Sequence, residues 1–589
     1  MKKIVYISVL CCAITLSGCD DLLDVSPGSE LTDDGFWKSE TDLKGACNKL
    51  YYDLSGWSID VRADEFVGNT SNSISNGTRT IPGTSEDDWT KPYNYIFTAN
   101  NIIEKAATSP LAESVRDRWR AEGFFFRAYH HFDLVKKYGD IPLIIKTFTS
   151  VYDEELKMGR TPRETVIQQC YEDLEFAVAN LPVCSALGTG ELDRRRVSRS
   201  SALGMIVRIG LYEGTFQKYH NINGGSNARA HFDKAINAFE RLRGEGHDLF
   251  PDFNNVYSYL NEANNINPEI IFGKAYGEND FSTVSTGHIH TRNLEGSNAF
   301  TRNVLDLFLY ADGLPINKTK LKVSVETSYN NIVGLDGDGN PLPDGLGQRD
   351  PRLLKSIWVI NDELEGDDFV GWIRTGKGKY YPFDSQRPKG YPCKKAFFGS
   401  MWEQSSGNKD FTDKIIIRYA EMLISYAEAL YERNGSISDG QLDETVNRLR
   451  ERVGFDKKLT NSFVSEHGLD MLEEIRRERT VELLGENFRY DDIIRWKIAE
   501  NVLPTNLIGP ICLADEMQNP SLHDDLKGRL TDDSGYLEGV FVYGQPSTYV
   551  IEFKGSRTFN PQRDYLYPIP TFEIAQSDFN ITQNPGWGQ

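Results

Sequence analysis

A polar loop between two predicted helices combines aromatic rings with short charged side chains. It runs from residue 56 to residue 89, is rich in Gly, Ser and Asn, and contains Trp57, Arg62, Asp64 and Trp89. An aromatic ring can stack on the apolar face of a sugar, and Asp or Arg can hydrogen-bond to its hydroxyl groups. The loop therefore predicts a saccharide-binding surface. The alternative is that Trp57 and Trp89 are core residues at the helix ends.

A second candidate region covers residues 275–412, which are rich in Gly, Pro, Asn and aromatic residues. Its main candidate ligand-binding residues are Trp372, Arg374 and Tyr391. Long irregular segments of this kind usually carry function. Any one of these side chains can instead serve packing, so the prediction concerns the region more than a single residue.

The N-terminal residues have the pattern of a lipoprotein signal peptide. Lys2 and Lys3 precede a short apolar run, which ends in Leu-Ser-Gly before Cys19. The run is too short to span a bilayer as a mature helix. We therefore expect residues 1–18 to be removed and the Cys19 thiol to carry the lipid that holds the protein on the membrane. The alternative is ordinary secretion with a free Cys19.

Metal-binding and catalytic motifs are weak in this sequence. Asp336, Asp338 and Asn340 match the start of a calcium-binding loop, but Pro341 stands where that loop needs Gly. The sequence leaves a structural calcium ion in this loop open, and we predict no other cofactor or metal. Neither a GxSxG nor an HExxH motif occurs. We therefore predict a binding protein and not an enzyme.

The chain is acidic and rich in aromatic residues. Its 589 residues carry a formal net charge of −21, and 12% of them are aromatic. Phosphate groups would be repelled by such a surface, which argues against nucleic acid as a partner. Cys170 and Cys184 are candidates for a disulfide, but their spacing does not decide it.

Helices are predicted over much of residues 40–250. In the segment from Ala121 to Val135, small and large apolar residues recur at spacings of four and three residues. This pattern is used by tetratricopeptide-type helix pairs, which bury their faces only by stacking on neighbours. A strand is predicted near residue 270. A second helical group is predicted over residues 413–497, and an irregular insertion is predicted to follow it.

The last predicted helix of the second group carries charge where aliphatic residues are expected. Arg476, Arg479, Glu482 and Glu486 fall at helical spacing between residues 469 and 496. A charge that faces a core must be paired. We therefore predict ion pairs between helices, and the alternative is a solvated charged face.

Three segments in this order, IIIRYAEMLISYAEAL, VNRLRERVG and IRRERTVELLGENFRYDDIIRW, resemble the SusD/RagB family of outer-membrane nutrient-binding lipoproteins. The segment AEGFFFRAYHHFDLVKKYGDIPL resembles the same family. The resemblance implies a mainly α-helical fold with tetratricopeptide-like helix hairpins and one body over residues 19–589. The resemblance also implies that residues 267–412 form an excursion that faces the ligand, and that residues 498–589 form an insertion and a tail that docks on the body.

The same resemblance implies a function at the cell surface. It implies that an oligosaccharide is captured outside the outer membrane and delivered to a SusC-like TonB-dependent transporter. The alternative is the capture of peptides, as in RagB-like members.

Overall fold

The computed structural model describes residues 35–588 except for short gaps and three longer ones. The gaps are residues 53, 149, 151, 189, 191, 258–266, 278–286, 297, 325, 360–389, 402–404, 406, 513–529 and 532–546. The predictions for residues 1–18, Cys19, Trp372 and Arg374 therefore lie outside the described residues.

The N-terminal half is built from long helices that pack on their neighbours in sequence. Their bounds are α1 Glu40–Tyr52, α2 Asp87–Ala107, α3 Glu113–Tyr138, α4 Arg163–Asn180, α5 Arg199–Tyr219 and α6 Ala228–Leu242. Helix α3 packs between α2 and α4, and α5 packs on α6. Ala121, Phe125, Ala128, Phe132 and Val135 are all buried, so the small-and-large pattern forms the predicted interlocking face of α3.

Local sequence signals explain where two of these helices begin and end. Ser198 caps α5, because its hydroxyl accepts a hydrogen bond from the backbone of Ser201. Gly139 ends α3 at a φ of 75°, a conformation that glycine adopts without strain.

The middle of the chain contains short helices and strands. The helices are α7 His290–Gly296, α8 Arg302–Leu305 and α9 Pro351–Ser356. The strands are β1 Phe66–Gly68, β2 Ile270–Lys274, β3 Asn298–Phe300, β4 Tyr391–Pro392 and β5 Lys414–Arg418. The order β1-β3-β4 forms one sheet, and β2 pairs antiparallel with β5. The strand predicted near residue 270 is confirmed, whereas β5 falls in a stretch that was assigned to the second helical group.

The C-terminal part returns to helices. Their bounds are α10 Tyr419–Asn434, α11 Asp439–Asp443, α12 Val446–Arg452, α13 Asn461–Glu466, α14 Met471–Glu482, α15 Arg489–Arg495, α16 Ala499–Val502 and α17 Thr571–Gln576. The single helix predicted over residues 469–496 is wrong. Gly485 and Asn487 adopt left-handed φ angles of 79° and 67°, which interrupt the helix and separate α14 from α15.

The insertion after residue 500 also contains a small sheet that its irregular sequence does not predict. Strands β6 Leu507–Cys512, β7 Leu530–Thr531 and β8 Ser547–Glu552 are arranged in the order β6-β8-β7. All pairs in this sheet are antiparallel.

One large hydrophobic core joins the two helical groups. It includes Phe125 and Ile206 from the N-terminal group and Leu423 and Ile475 from the C-terminal group. A separate core lies under the middle segment and contains Tyr391. The fold is therefore mainly α-helical, with the strands at the junctions between helical groups.

The charged face of α14 lies inside the protein. Arg476, Arg479 and Glu482 are all buried. Each of these residues, and Glu486 after the helix, forms an ion pair with another element. The pairs are Arg476 with Glu432 at 3.0 Å, Arg479 with Asp492 at 2.8 Å, Glu482 with Arg452 at 2.5 Å, and Glu486 with Lys395 and Arg418 at 2.7 Å. The prediction of ion pairs between helices is confirmed, and the alternative of a solvated face is wrong.

Within the described part of the chain, Cys47, Cys170, Cys184 and Cys393 are free thiols. Cys170 and Cys184 therefore form no disulfide. No helix among the described residues has both the length and the apolar character needed to cross a bilayer.

Candidate ligand-binding groove

Three adjoining pockets form a groove between the N-terminal helices and the turn that separates α14 from α15. Their volumes are about 380, 170 and 40 Å³, and they are called here the first, second and third pockets. Asn487 lines all three. Tyr212 and Lys136 are shared by the first and second pockets, and Lys414 is shared by the second and third.

Asn487 fixes the loop of residues 55–62, which forms one wall of the groove. Its side-chain oxygen accepts a hydrogen bond from the backbone N–H of Asp60 at 3.0 Å. Its side-chain amide donates to the backbone carbonyl of Ser58 at 3.0 Å. Asn is among the few residues that tolerate the left-handed conformation found here. The turn after α14 therefore positions a loop that lies more than 400 residues away in sequence.

Arg62 projects from this loop into the first pocket. Its guanidinium donates to both carboxylate oxygens of Asp60, at 2.8 and 2.7 Å, and to the hydroxyl of Tyr567 at 2.9 Å. It also lies 4.4 Å from the centre of the Tyr490 ring. Burial opposes the charge of Arg62, but Asp60, Tyr567 and Asp491 together outweigh burial and hold the pKa of Arg62 well above its ordinary value. Arg62 is therefore a fixed cation with its orientation set from three sides.

The opposite wall comes from the last turns of α3 and carries paired charges. Lys136 lies 2.5 Å from Asp491, and Lys137 lies 2.8 Å from Asp88 and 3.0 Å from Asp133. Burial raises the pKa of Asp133, but the charges of Lys137 and Lys136 have the larger combined effect and lower this pKa to about 2. Asp133 therefore stays charged at neutral pH, paired with Lys137. The first pocket therefore offers many hydrogen-bonding groups with nearly balanced charge.

Tyrosines complete the first pocket. Tyr212, Tyr490, Tyr565 and Tyr567 line it. The hydroxyl of Tyr565 donates to Glu500, and that of Tyr567 accepts from Arg62. Tyr490 has no hydrogen bond to its hydroxyl from any residue that the structure describes, which leaves this group free to contact a ligand.

Two of the predicted site residues lie in the groove. Arg62 lines the first pocket and Trp57 lines the third. The indole N–H of Trp57 donates to the carbonyl of Thr412 at 3.0 Å, and its ring stacks on His290 with 4.0 Å between ring centres. One face of Trp57 is therefore covered by the protein.

The expectation that Asp64, Trp89 and Tyr391 face a ligand is corrected by their burial. Asp64 is 5% exposed and forms a two-pronged ion pair with Arg489, with contacts of 2.8 and 3.0 Å. Trp89 is 3% exposed in the first turn of α2, and Tyr391 is 1% exposed in the second core. Large rings contribute most when they are fully removed from water. Trp89 is therefore a core residue, the alternative left open by its sequence position.

Asn487, Tyr490 and Lys414 are groove residues that nothing in the sequence singles out as ligand-binding. The Gly485-Glu486-Asn487 stretch carries a turn signal, since Gly and Asn favour left-handed backbone. That signal lies within an otherwise helical charge pattern. Lys414 is one of 65 basic residues, so its position stands out only in three dimensions.

In the calcium-like loop of residues 336–340, backbone N–H groups occupy one carboxylate oxygen that could bind an ion. One carboxylate oxygen of Asp336 accepts hydrogen bonds from the backbone N–H groups of Asp338 and Asn340 at 2.9 and 2.8 Å. No group of three or more His, Cys, Asp or Glu side chains suited to a metal ion is found among the described residues. The calcium ion stays an untested expectation.

The chain matches two protein-family models. Residues 268–587 match the model described as the SusD family, and residues 23–211 match one described as "Starch-binding associating with outer membrane". SusD-like protein P38 of Formosa agariphila is 24% identical over 555 residues, which cover 89% of this chain and 100% of that protein.

Solved structures share the fold over almost the whole chain. A SusD-like carbohydrate-binding protein from Bacteroides fragilis has a TM-score of 0.68 and 20% identity, and covers 92% of this chain and 99% of its own. A laminarin-binding SusD-like protein has a TM-score of 0.55 and 19% identity, with 93% of this chain and 100% of its own covered.

Proposed function

This chain belongs to the SusD family, and on that premise we propose that it captures an oligosaccharide in the groove around Asn487. It then delivers the oligosaccharide to a SusC-like TonB-dependent transporter. The lipid on Cys19 anchors the protein in the outer membrane with the groove facing the cell exterior. Its action is binding without chemical change.

The hydrogen-bonding character of the first pocket carries this proposal. Arg62, Asn487 and Tyr490 supply donors and acceptors around a cavity of about 380 Å³. Ligand sites of this kind combine a concave wall with a few fixed polar groups. Because most of the charges are already paired within the protein, a ligand rich in hydroxyl groups can hydrogen-bond to them without breaking those pairs.

The names of similar proteins favour a glycan over a peptide. One matched family model is described by starch binding, and two similar structures are named for carbohydrate and laminarin. These names identify ligands of those proteins. They support saccharide as the ligand class here and leave the sugar and linkage to experiment.

Calorimetry on the protein that starts at residue 20 tests the proposal against a panel of plant, host and microbial oligosaccharides. The informative variant is Tyr490→Phe, which removes the free hydroxyl but keeps the ring that packs on Arg62. Loss of one hydrogen bond predicts about a two- to tenfold weaker affinity. The matched control is Tyr152→Phe, because Tyr152 is 87% exposed and lies outside the groove.

Saturable binding that Tyr490→Phe weakens and Tyr152→Phe leaves unchanged supports a glycan site in the groove. Binding that neither variant changes places the site elsewhere, with the segment 275–412 as the next region to test. If no glycan of the panel binds, capture of a saccharide by this protein alone is wrong.

Anchoring and delivery need a separate test in cells that express the protein with its transporter. Cys19→Ser is expected to release the protein from the outer membrane. Affinity purification of the wild-type protein is expected to retain a TonB-dependent transporter. A Cys19→Ser protein that stays in the membrane fraction would contradict the lipid anchor.

A further inference from the structure

Lys414 is a cation in the groove that no carboxylate of the described residues neutralises. It lies at the start of β5 and lines the second and third pockets. Its ammonium donates to the backbone carbonyl of Gly56 at 2.8 Å and lies 3.5 Å from that of Ser55. A lysine ammonium has three donors. At least one of them is therefore left for a ligand.

The other cations of the second pocket are all neutralised by carboxylates. The pairs are Lys136 with Asp491 at 2.5 Å, Arg208 with Glu421 at 2.7 Å, Arg479 with Asp492 at 2.8 Å and Arg495 with Glu428 at 2.6 Å. No carboxylate of the described residues forms an ion pair with Lys414.

The backbone register places a second cation beside Lys414. Lys274 on β2 lies directly opposite Lys414 on β5. Like charges in such cross-strand positions destabilise a sheet. Burial, followed by Lys274 and Arg208, lowers the pKa of Lys414 to about 8. An anion bound at Lys414 would relieve this repulsion.

We propose that the ligand of the groove is an acidic glycan, whose carboxylate or sulfate group pairs with Lys414 in the second pocket. This inference rests on the proposed function, since it names the class of saccharide for the same groove. The first pocket then holds neighbouring sugar units through hydrogen bonds. Lys414 acts as the residue that selects acidic over neutral chains.

Two pairs of matched ligands test the charge directly by calorimetry. One pair is a galacturonic acid oligomer and its methyl ester, and the other is a sulfated galactan oligosaccharide and its desulfated form. A hydrogen bond between charged groups predicts that the acidic member of at least one pair binds about tenfold to a hundredfold more tightly. The two pairs separate a carboxylate ligand from a sulfate ligand.

Lys414→Met is expected to abolish this preference, so that both members of the pair bind with similar affinity. Lys414→Arg keeps the charge and is expected to retain most of it. Lys458→Met is the control, because Lys458 is exposed, pairs with Asp443 and lies outside the groove. If Lys414 only supports residues 55 and 56, Lys414→Met weakens acidic and neutral members equally, and the inference is wrong.

Binding of neutral glycans with no preference for the acidic member would overturn the inference and leave the proposed function standing. No binding by any glycan would overturn the proposed function itself. Preferred binding of an acidic glycan with Lys414→Met as selective as wild type would show that another group recognises the charge.

Discussion

Charges in the helical core around Glu482 and charges in the groove beside Lys414 are satisfied in different ways. Glu482 is fully buried, and its carboxylate accepts hydrogen bonds from Arg352, Arg418 and Arg452 at 3.1, 2.8 and 2.5 Å. Burial raises the pKa of Glu482, but the three arginines together hold it below its ordinary value. Every oxygen of this carboxylate is taken by a partner inside the protein.

The groove has the opposite arrangement. Lys414 is half-buried, and within the described part of the chain its ammonium hydrogen-bonds only to the backbone carbonyls of residues 55 and 56. In the core, the charge of Glu482 is therefore neutralised by residues of the protein. In the groove, the charge of Lys414 is proposed to be neutralised by a ligand. A polar group that stabilises the fold has its charged partners within the protein. A polar group that binds a ligand lacks such partners, and this distinguishes the two kinds of group.

The largest effect is expected from opening the closed cluster. Glu482→Gln leaves three buried arginines with too little negative charge, and breaking such a cluster typically costs about 3–5 kcal/mol. The free energy of unfolding, measured with urea, should fall by that amount. Glu473→Gln on the same helix is the control, because Glu473 is 66% exposed and its ion-pair contact with Arg476 is a long 3.8 Å. Equal stability of the two variants would show that the cluster does not hold α14.

A loss of stability of similar size is expected from a change at Trp89, which tests whether this aromatic ring belongs to the core or to the groove. Trp89→Ala removes a ring that packs edge-on against Tyr138 at 4.9 Å. Truncation of a buried aromatic predicts a loss of about 3–5 kcal/mol in the free energy of unfolding. Glycan affinity at a temperature where the variant is folded should stay unchanged. A loss of glycan affinity without a loss of stability would show that Trp89 binds the ligand.

A pH effect is expected from Glu65, a buried carboxyl that forms no ion pair with any described residue. Its Oε1 accepts from the backbone of Gly485 at 2.6 Å, and Oε2 has no partner among the described residues. Burial raises its pKa to about 8. The folded state therefore holds a proton that the unfolded chain loses near pH 4.5, so this stabilisation is present at low pH and is lost as pH rises towards 8.

Glu65→Gln removes this titration and tests it. Between pH 5 and 8, the stability of the wild type should decline relative to that of the variant, by at most about 1.4 kcal/mol per pH unit. Urea unfolding of both proteins across this range measures the difference, and other titrating groups cancel. Parallel pH profiles of the two proteins would contradict a raised pKa for Glu65.

The smallest effect is expected at Asn487, where fold and groove meet. Asn487→Gly keeps a residue that tolerates the left-handed φ but removes the hydrogen bonds to Ser58 and Asp60. It should lower the free energy of unfolding by about 1–2 kcal/mol. Asn487→Ala should cost about 1 kcal/mol more through backbone strain.

Hydrogen exchange at the amide of Asp60 reports the same change locally. This N–H is bonded to the Asn487 side chain, so its exchange should accelerate in both variants. The amide of Thr161 serves as the internal control, because it is bonded to the carbonyl of Ile141 and lies outside the loop of residues 55–62 and the groove. Unchanged exchange at Asp60 would show that Asn487 does not hold the loop.

Periodic sequence patterns predicted much of the scaffold correctly. The long helices from α1 to α6 appear where apolar spacing places them, and the charged residues of α14 are paired as their spacing requires. Both follow from local rules, since helix periodicity decides which residues share a face. The break between α14 and α15 was missed, because Gly485 and Asn487 are embedded in a charge pattern that continues on either side.

The candidate site was predicted only in part. Arg62 and Trp57 lie in the groove, whereas Asp64, Trp89 and Tyr391 are buried by contacts with residues far away in sequence. Aromatic and charged residues look alike in a sequence whether they bind a ligand or complete a core. Only their exposure and their partners distinguish the two roles.

The family could be recognised from the sequence through the resemblance of four segments. The mainly helical architecture and the acidic character also follow from the sequence, because they depend on residue spacing within single elements and on composition. Two features are visible only in three dimensions: Asn487 holds the loop of residues 55–62, and Lys414 lines a cavity with no carboxylate partner among the described residues. The physical reason is that burial and charge pairing are set by the packing of distant segments, which no local pattern records.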